Sequence, residues 1–272
     1  MAAVAWRKPR RARVGEPGAR TPRGPQIRPQ GTTHAAGVWV LAFTLAAGSA
    51  MTVGAASDAE RLLAARFLPR QEEPLRSYRA LRRMHAWSER FKQEGWLEAW
   101  TELKEGKFNY EIVTERGSDT IRERVLRALL KREQELVNSG DAGKCELTSD
   151  NYDFTEAGRD TDGTHVVQLT PRRKDVLLVE GKMVLSPDGG ELLRVEGRLA
   201  KNPSFWTSLV NIVRHYGRLG GVRVPVATES TAKVKFVGTS QLEVAYEYET
   251  VNNRRVSLSA QRLTAPSRNA AR

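Results

Sequence analysis

The residues with the chemistry to act as catalysts or ligands are few and scattered. The four histidines, His34, His85, His165 and His215, are not paired with one another or with a carboxylate at zinc-ligand spacing. No Gly-x-Ser-x-Gly elbow and no Gly-x-x-x-x-Gly-Lys-Ser/Thr loop occurs. Asp160-Thr-Asp162-Gly163 opens like a calcium loop, but His165 and Arg172 stand near the places where further oxygen ligands belong, so a hairpin turn is expected. The single cysteine, Cys145, follows Lys144 without a histidine nearby and reads as a bystander thiol. Tyr216-Gly-Arg-Leu-Gly-Gly221 lacks dinucleotide-motif spacing and reads as a turn with positive φ angles. The expectation is a protein that is not an enzyme, with no cofactor and no metal.

What the sequence concentrates instead is apolar bulk. Pro203-Ser-Phe205-Trp206-Thr-Ser-Leu-Val-Asn-Ile-Val-Arg-His-Tyr216 gathers aromatic and aliphatic side chains, and Trp96 and Trp100 form a second group. Such segments are ordinary core or the wall or lid of an apolar ligand site.

These residues need a scaffold, and the scaffold reads as mainly β. Phe108, Tyr110 and Ile112 alternate with polar residues, as a sheet with one covered face requires. Trp96–Leu103, Phe108–Glu115, His165–Thr170, Asp175–Leu185, Glu191–Leu199, Val222–Ser230, Thr231–Val237 and Gln241–Thr250 are strand candidates; Tyr78–Arg90 fits a helix or a strand. One helix stands out. Thr120 and Glu123 have capping-box spacing, Ile121, Val125, Leu129, Leu136 and Val137 return at helical spacing, and Ser139-Gly140 stops it. Ser57–Phe67 is a shorter amphipathic stretch.

The chain has 272 residues, 40% of them hydrophobic, and a net charge of +12. Residues 1–36 hold eight Lys or Arg against one acid, Glu16, so seven of those charges lie there and residues 37–272 carry +5. That remainder has no strong pull toward nucleic acid, which is excluded as a partner. After the basic leader, Gly37–Ala56 supplies an apolar run and then small residues before Ser57-Asp58. It reads as a cleaved signal peptide, with a retained transmembrane helix as the alternative. No cysteine follows it, so a lipid anchor is not expected. The expected organisation is a basic disordered leader at 1–36, a signal peptide at 37–56, one domain at 57–260 and a flexible tail at 261–272, with the product in the periplasm.

An exported chain without a lipobox, a short helix, about ten antiparallel strand candidates and one or two covering helices make a pattern. Within it, Asp175-Val-Leu-Leu-Val-Glu-Gly-Lys-Met-Val-Leu-Ser-Pro-Asp-Gly-Gly-Glu-Leu-Leu-Arg-Val-Glu-Gly197 leads through Gly221-Val-Arg-Val-Pro225 to a last β meander. From about Ser57 to Asn253 the chain resembles the LolA/LolB-like superfamily of periplasmic outer-membrane lipoprotein-sorting proteins. The resemblance implies an α+β, mainly antiparallel fold: a strongly curved, open half-barrel sheet with covering helices. It also implies a carrier that holds lipid or lipoprotein acyl chains in its cavity and exchanges them with inner- or outer-membrane proteins, with the 120–137 helix or the 205–216 segment as a movable cover. The family's lid-locking arginine has no motif match here. The alternative on the same fold is a protein-binding or envelope-stress sensory module. The expected cavity lining is Trp100, Tyr110, Leu193, Val195, Phe205, Trp206, Val234, Phe236, Val244 and Tyr246.

Overall fold

A computed structural model describes residues 73–188, 191–205, 207–236 and 238–256. The leader, the Gly37–Ala56 segment, the 57–67 stretch, Trp206 and the tail lie outside the described residues. The fold is an open, curved sheet of eleven strands, every neighbouring pair antiparallel, with a helix across its covered face. The strands are β1 (Tyr78–Ser88), β2 (Gln93–Lys104), β3 (Lys107–Gly117), β4 (Tyr152–Arg159), β5 (His165–Pro171), β6 (Val179–Leu185), β7 (Leu192–Leu199), β8 (Thr207–Leu219), β9 (Val222–Val234), β10 (Gly238–Val251) and β11 (Arg254–Arg255). The helix, α1, covers 119–138 and is followed by a short 3-10 turn, Asp141–Cys145.

The strand order β3-β2-β1-β10-β9-β8-β7-β6-β5-β4 explains the helix. β3 and β4 are the two opposite edges of the sheet, yet they are consecutive in the chain. The connection between them has to cross the sheet, and the only apolar surface on which it can be buried is the concave face. The crossing segment therefore carries an apolar stripe: Ile121, Val125, Leu126, Leu129, Leu130, Leu136 and Val137 are buried. Residues Arg122–Arg127 are π-helical, which shifts the helical phase so that adjacent pairs such as Val125 and Leu126 both face the sheet.

Two apolar clusters fill the concave side. One packs α1 against β1, β2, β3, β10 and the first half of β9. The other joins β4 to β8 with the end of β9, Cys145 and Leu136. Their strands alternate buried and exposed residues because successive side chains point to opposite faces. β1 is the informative case. Its Tyr78, Leu81, Met84 and Trp87 recur at helical spacing, but the buried residues are Tyr78, Ala80, Arg82, Met84, Ala86 and Ser88. The true period is two, hidden in the sequence because an arginine and a serine face inward.

Three further expectations are corrected, and strand β4 appears where none was expected. Val222–Ser230 and Thr231–Val237 are one strand, β9, ending at Val234, since no turn residue interrupts them. The segment from Thr207 onward is strand β8, not a lid. β4 carries few apolar residues and gave no period-two signal, yet it pairs with β5 along its whole length. The capping box does not form: α1 begins at Asp119 with Ser118 as N-cap and no side-chain cap bond, although it ends as expected at Ser139 with Gly140 left-handed. The expected hairpin turn is present, with Gly163 N donating to Asp160 O and Thr164 N to Asp162 Oδ1.

Candidate functional site: a cavity beneath the start of the helix

One end of the concave face is not filled. Strand β1 contributes Ala86 and Ser88 there, β10 contributes Ser240 and Leu242, and β9 contributes Ser230 and Ala232. The ladder sets these side by side: Ala86 lies opposite Leu242 and Ser88 opposite Ser240, while Leu242 and Ser240 lie opposite Ser230 and Ala232. Five of the six are Ala or Ser. Small side chains on three adjacent strands cannot reach the helix, and the result is a cavity of about 350 Å³, at the lower end of the range of about 300–1,000 Å³ for small-molecule sites. Thr120, Ile121, Arg124 and Val125 of α1 roof it, and Trp87, Phe91, Gln93 and Gln241 stand around its mouth.

The helix reaches this position because of one glycine. A Cβ on Gly95 of β2 would come within 2.9 Å of Ile121 Cγ2, so only glycine lets the first turn of α1 settle on the sheet. The cavity surface is mainly apolar, and two of its polar groups are buried and unpaired. Ser88 and Ser230 are 4% and 5% exposed, and neither hydroxyl has a hydrogen-bond partner. An unpaired buried hydroxyl costs about 1–3 kcal/mol, so the pair favours a ligand bearing a polar group.

Deeper in, the helix is tied to the sheet by charge. Arg82 of β1 and Glu133 of α1 are both buried and form a bidentate ion pair, with Arg82 Nη2 2.8 Å from Glu133 Oε1 and 2.8 Å from the Tyr78 hydroxyl. The guanidinium also stacks over Phe108 and Tyr246, at 5.2 and 4.8 Å from the ring centroids. Burial alone would lower the Arg82 pKa, but the Glu133 carboxylate and the tyrosines outweigh it and hold the group charged. Arg214 of β8 lies on the same face and donates to Thr228 Oγ1 at 3.2 Å. Burial raises the pKa values of Tyr78, Tyr216 and Tyr248 around this centre.

Of the ten residues expected to line a cavity, the nine described ones do not line this one. Val234, Val244 and Tyr246 face inward, but they pack in the two cores. They share strands and faces with the true lining: Val234 is two residues beyond Ala232, and Val244 two beyond Leu242. Val195 is also core, and Tyr110 packs partly buried against the first cluster. Leu193 is half-buried at a register shift between β6 and β7, where Leu192 and Arg194 are the paired residues. Trp100 is on the convex face with the Arg79 guanidinium 4.5 Å over its ring, because its neighbours Ala99 and Thr101 are the inward residues of β2. Phe205 and Phe236 sit in loops and are 78% and 75% exposed; β9 has ended at Val234, and Phe236 takes a φ of 64° in the turn to β10. Trp206 lies outside the described residues. Bulky residues fill space, whereas a cavity stands where inward residues are small. The pattern Ala86-x-Ser88, Ser230-x-Ala232 and Ser240-x-Leu242 was the available signal.

The described histidines stay apart, each beside its own carboxylate: His85 near Glu94 at 3.3 Å, His165 near Glu156 at 4.0 Å and His215 near Glu229 at 3.9 Å. Among the described residues no group of three His, Cys, Asp or Glu is placed to hold a metal. Cys145 is buried and donates to Ala142 O. Also among the described residues, no helix is long and apolar enough to cross a membrane.

No protein-family model matches this chain, and no curated protein matches it. Among solved structures it is similar to a DUF1329 family protein from Desulfovibrio piger, with a TM-score of 0.34 and 12% sequence identity over 71% of this chain and 95% of that one.

Proposed function

We propose that this chain is an exported, non-catalytic carrier that holds an acyl chain of a lipid or lipoprotein in the cavity beneath α1. The observation that carries this reading is the cavity itself, an apolar recess with two unpaired buried hydroxyls. Each methylene moved from water into it is worth about 0.8 kcal/mol. An ester or carboxyl group matches the Ser88 and Ser230 hydroxyls, and Arg124 on the roof is placed to attract a phosphate or carboxylate. The sequence resemblance to the LolA/LolB-like superfamily and the signal-like Gly37–Ala56 segment point the same way, toward the periplasm. The test is organic extraction of the chain isolated from membrane-containing cells, followed by mass spectrometry. Lipid is expected in the native chain and absent from Ala86→Leu/Ala232→Leu, which fills the recess. Native protein without lipid, or equal lipid in both, overturns the reading.

A second reading, a module that binds an envelope protein, is favoured by the convex face. There His85 stacks on Trp96 at 4.5 Å and lies 4.7 Å from Trp87, and Arg116 covers Trp96 at 4.5 Å. Capture of one dominant membrane protein by the native chain, lost in Trp96→Ala/Trp100→Ala with no lipid in either, favours this reading over the first.

A further inference from the structure

Four large apolar side chains are exposed among the described residues, and three of them stand at one end of the sheet. Phe91, at 53% exposure, is in the β1–β2 turn; Phe205 is in the loop entering β8; Phe236 is in the β9–β10 turn. The ladders place these turns together: Ser88 lies opposite Ser240, Gly238 opposite Val234, and Val234 opposite Thr207. Two contacts confirm the neighbourhood. A Cβ built on Gly238 would lie 3.5 Å from Arg90 Cβ, and Lys235 Nζ is 4.2 Å from the centre of the Phe205 ring.

The same turns are basic. Arg90 and Lys92 flank Phe91, Lys233 and Lys235 precede Phe236, and Lys201 opens the loop that holds Phe205. All five cations are exposed. The one carboxylate in these stretches, Glu89, accepts a hydrogen bond from Gln241 Nε2. Elsewhere on the sheet, exposed cations meet carboxylates across the ladder, as in Arg79–Glu249, Arg83–Glu247 and Arg198–Glu180. Aromatic tips interleaved with unbalanced positive charge match the boundary of an anionic bilayer, where rings sit at headgroup depth and cations meet phosphates. Phe91 also stands at the cavity mouth, so the rim and the recess open on the same side.

We propose that these three turns form a docking rim for a bilayer surface rich in anionic phospholipid headgroups, and that docking presents the mouth of the cavity to the membrane. The rim does not rest on the carrier reading; a chain that carries no lipid can still dock.

The test uses the full chain and vesicles of phosphatidylcholine with and without phosphatidylglycerol. Because residues 1–36 are basic and Gly37–Ala56 is apolar, binding of the full chain to vesicles does not by itself report the rim, and the readout has to be local to it. A bimane fluorophore on Phe236→Cys is expected to shift to the blue and to be quenched by lipids labelled near the headgroup, only with phosphatidylglycerol and less at high salt. Phe91→Ser with Phe205→Ser in that background is expected to weaken the response roughly tenfold. Lys92→Glu with Lys235→Glu is expected to abolish its dependence on phosphatidylglycerol. Circular dichroism is expected to be unchanged in all of them, since every altered side chain is exposed. A fluorophore that stays in water on anionic vesicles, or a response unaltered by both pairs of substitutions, overturns the proposal. A rim covered by a protein partner instead gives the first of these results. Lipid extraction reads the cavity and the fluorophore reads the rim, so either can fail alone.

Discussion

At the scale of single residues, the helix is held to the sheet by a few buried polar groups that pair with one another. Arg82 and Glu133 are the clearest pair. Removing one partner leaves the other charge buried and alone, which costs about 3–5 kcal/mol, whereas replacing both with apolar side chains of similar volume is close to neutral. Glu133→Ala is therefore expected to lower the urea midpoint sharply, and Arg82→Met/Glu133→Leu to recover most of the loss. Titration of the tyrosines gives a second prediction. Burial pushes the Tyr152 phenol up from 10.0 to about 12, and it raises Tyr78, Tyr216 and Tyr248 as well. A group whose pKa is higher folded than unfolded contributes stability in full below the unfolded value and loses it as pH rises through the folded one. The fold is expected to keep its full stability up to about pH 10 and to lose it progressively toward pH 12 and above. Denaturation midpoints against pH, with phenolate absorbance as the second signal, check this. A midpoint flat through that window contradicts it.

At the scale of elements, the relation of α1 to the sheet decides whether the cavity can open. Its first turn rests on Gly95, and its middle is fastened by Glu133. A carrier needs that first turn to lift. A Cβ at position 95 would be 3.2 Å from Ile121 Cβ, slightly closer than the roughly 3.5–4.5 Å of a disulfide. Gly95→Cys/Ile121→Cys is therefore expected to cross-link after a small shift. Loading of a fluorescent fatty acid is expected to be slow in the oxidised form and to return on reduction; equal loading in both states shows that the cavity fills without movement of the helix start. The sheet has a similar close approach at Gly181 and Gly197, which face each other across β6 and β7. A Cβ on either would lie within 2.5 Å of the opposite backbone, so Gly181→Val is expected to destabilise strongly, by several times the roughly 1 kcal/mol typical of a point substitution.

At the scale of the molecule, the first described strand and the last long one meet in the middle of the sheet. β1 pairs with β10, more than 150 residues later, and every other strand hangs from that junction. The two apolar clusters share β9, so neither half of the sheet is expected to unfold alone. Trp87, Trp96 and Trp100 report the β1–β2 side, and far-ultraviolet circular dichroism reports the whole sheet. The expected outcome is coincident urea transitions from the two signals, and separate midpoints would show two independent halves.

Local patterns made much of this legible. Alternation along β2, β3, β5, β7 and β10, the turn chemistry at Asp162-Gly163 and Gly220-Gly221, and the apolar stripe of α1 are all written in neighbouring residues, because a strand or a helix is a periodic object that buries one face. Those patterns determined a mainly antiparallel sheet with a covering helix. They did not determine which strands meet, since pairing such as β1 with β10 depends on residues far apart in the chain. Nor did they place the cavity. Inward faces can be read from period two, but empty space appears only where small residues from strands as far apart in the chain as β1 and β10 fall side by side under a helix that a distant glycine admits. The same holds for the rim: Phe91, Phe205 and Phe236 are isolated aromatics in the sequence, and only the ladder order of the sheet gathers them, with their lysines and arginines, at one end.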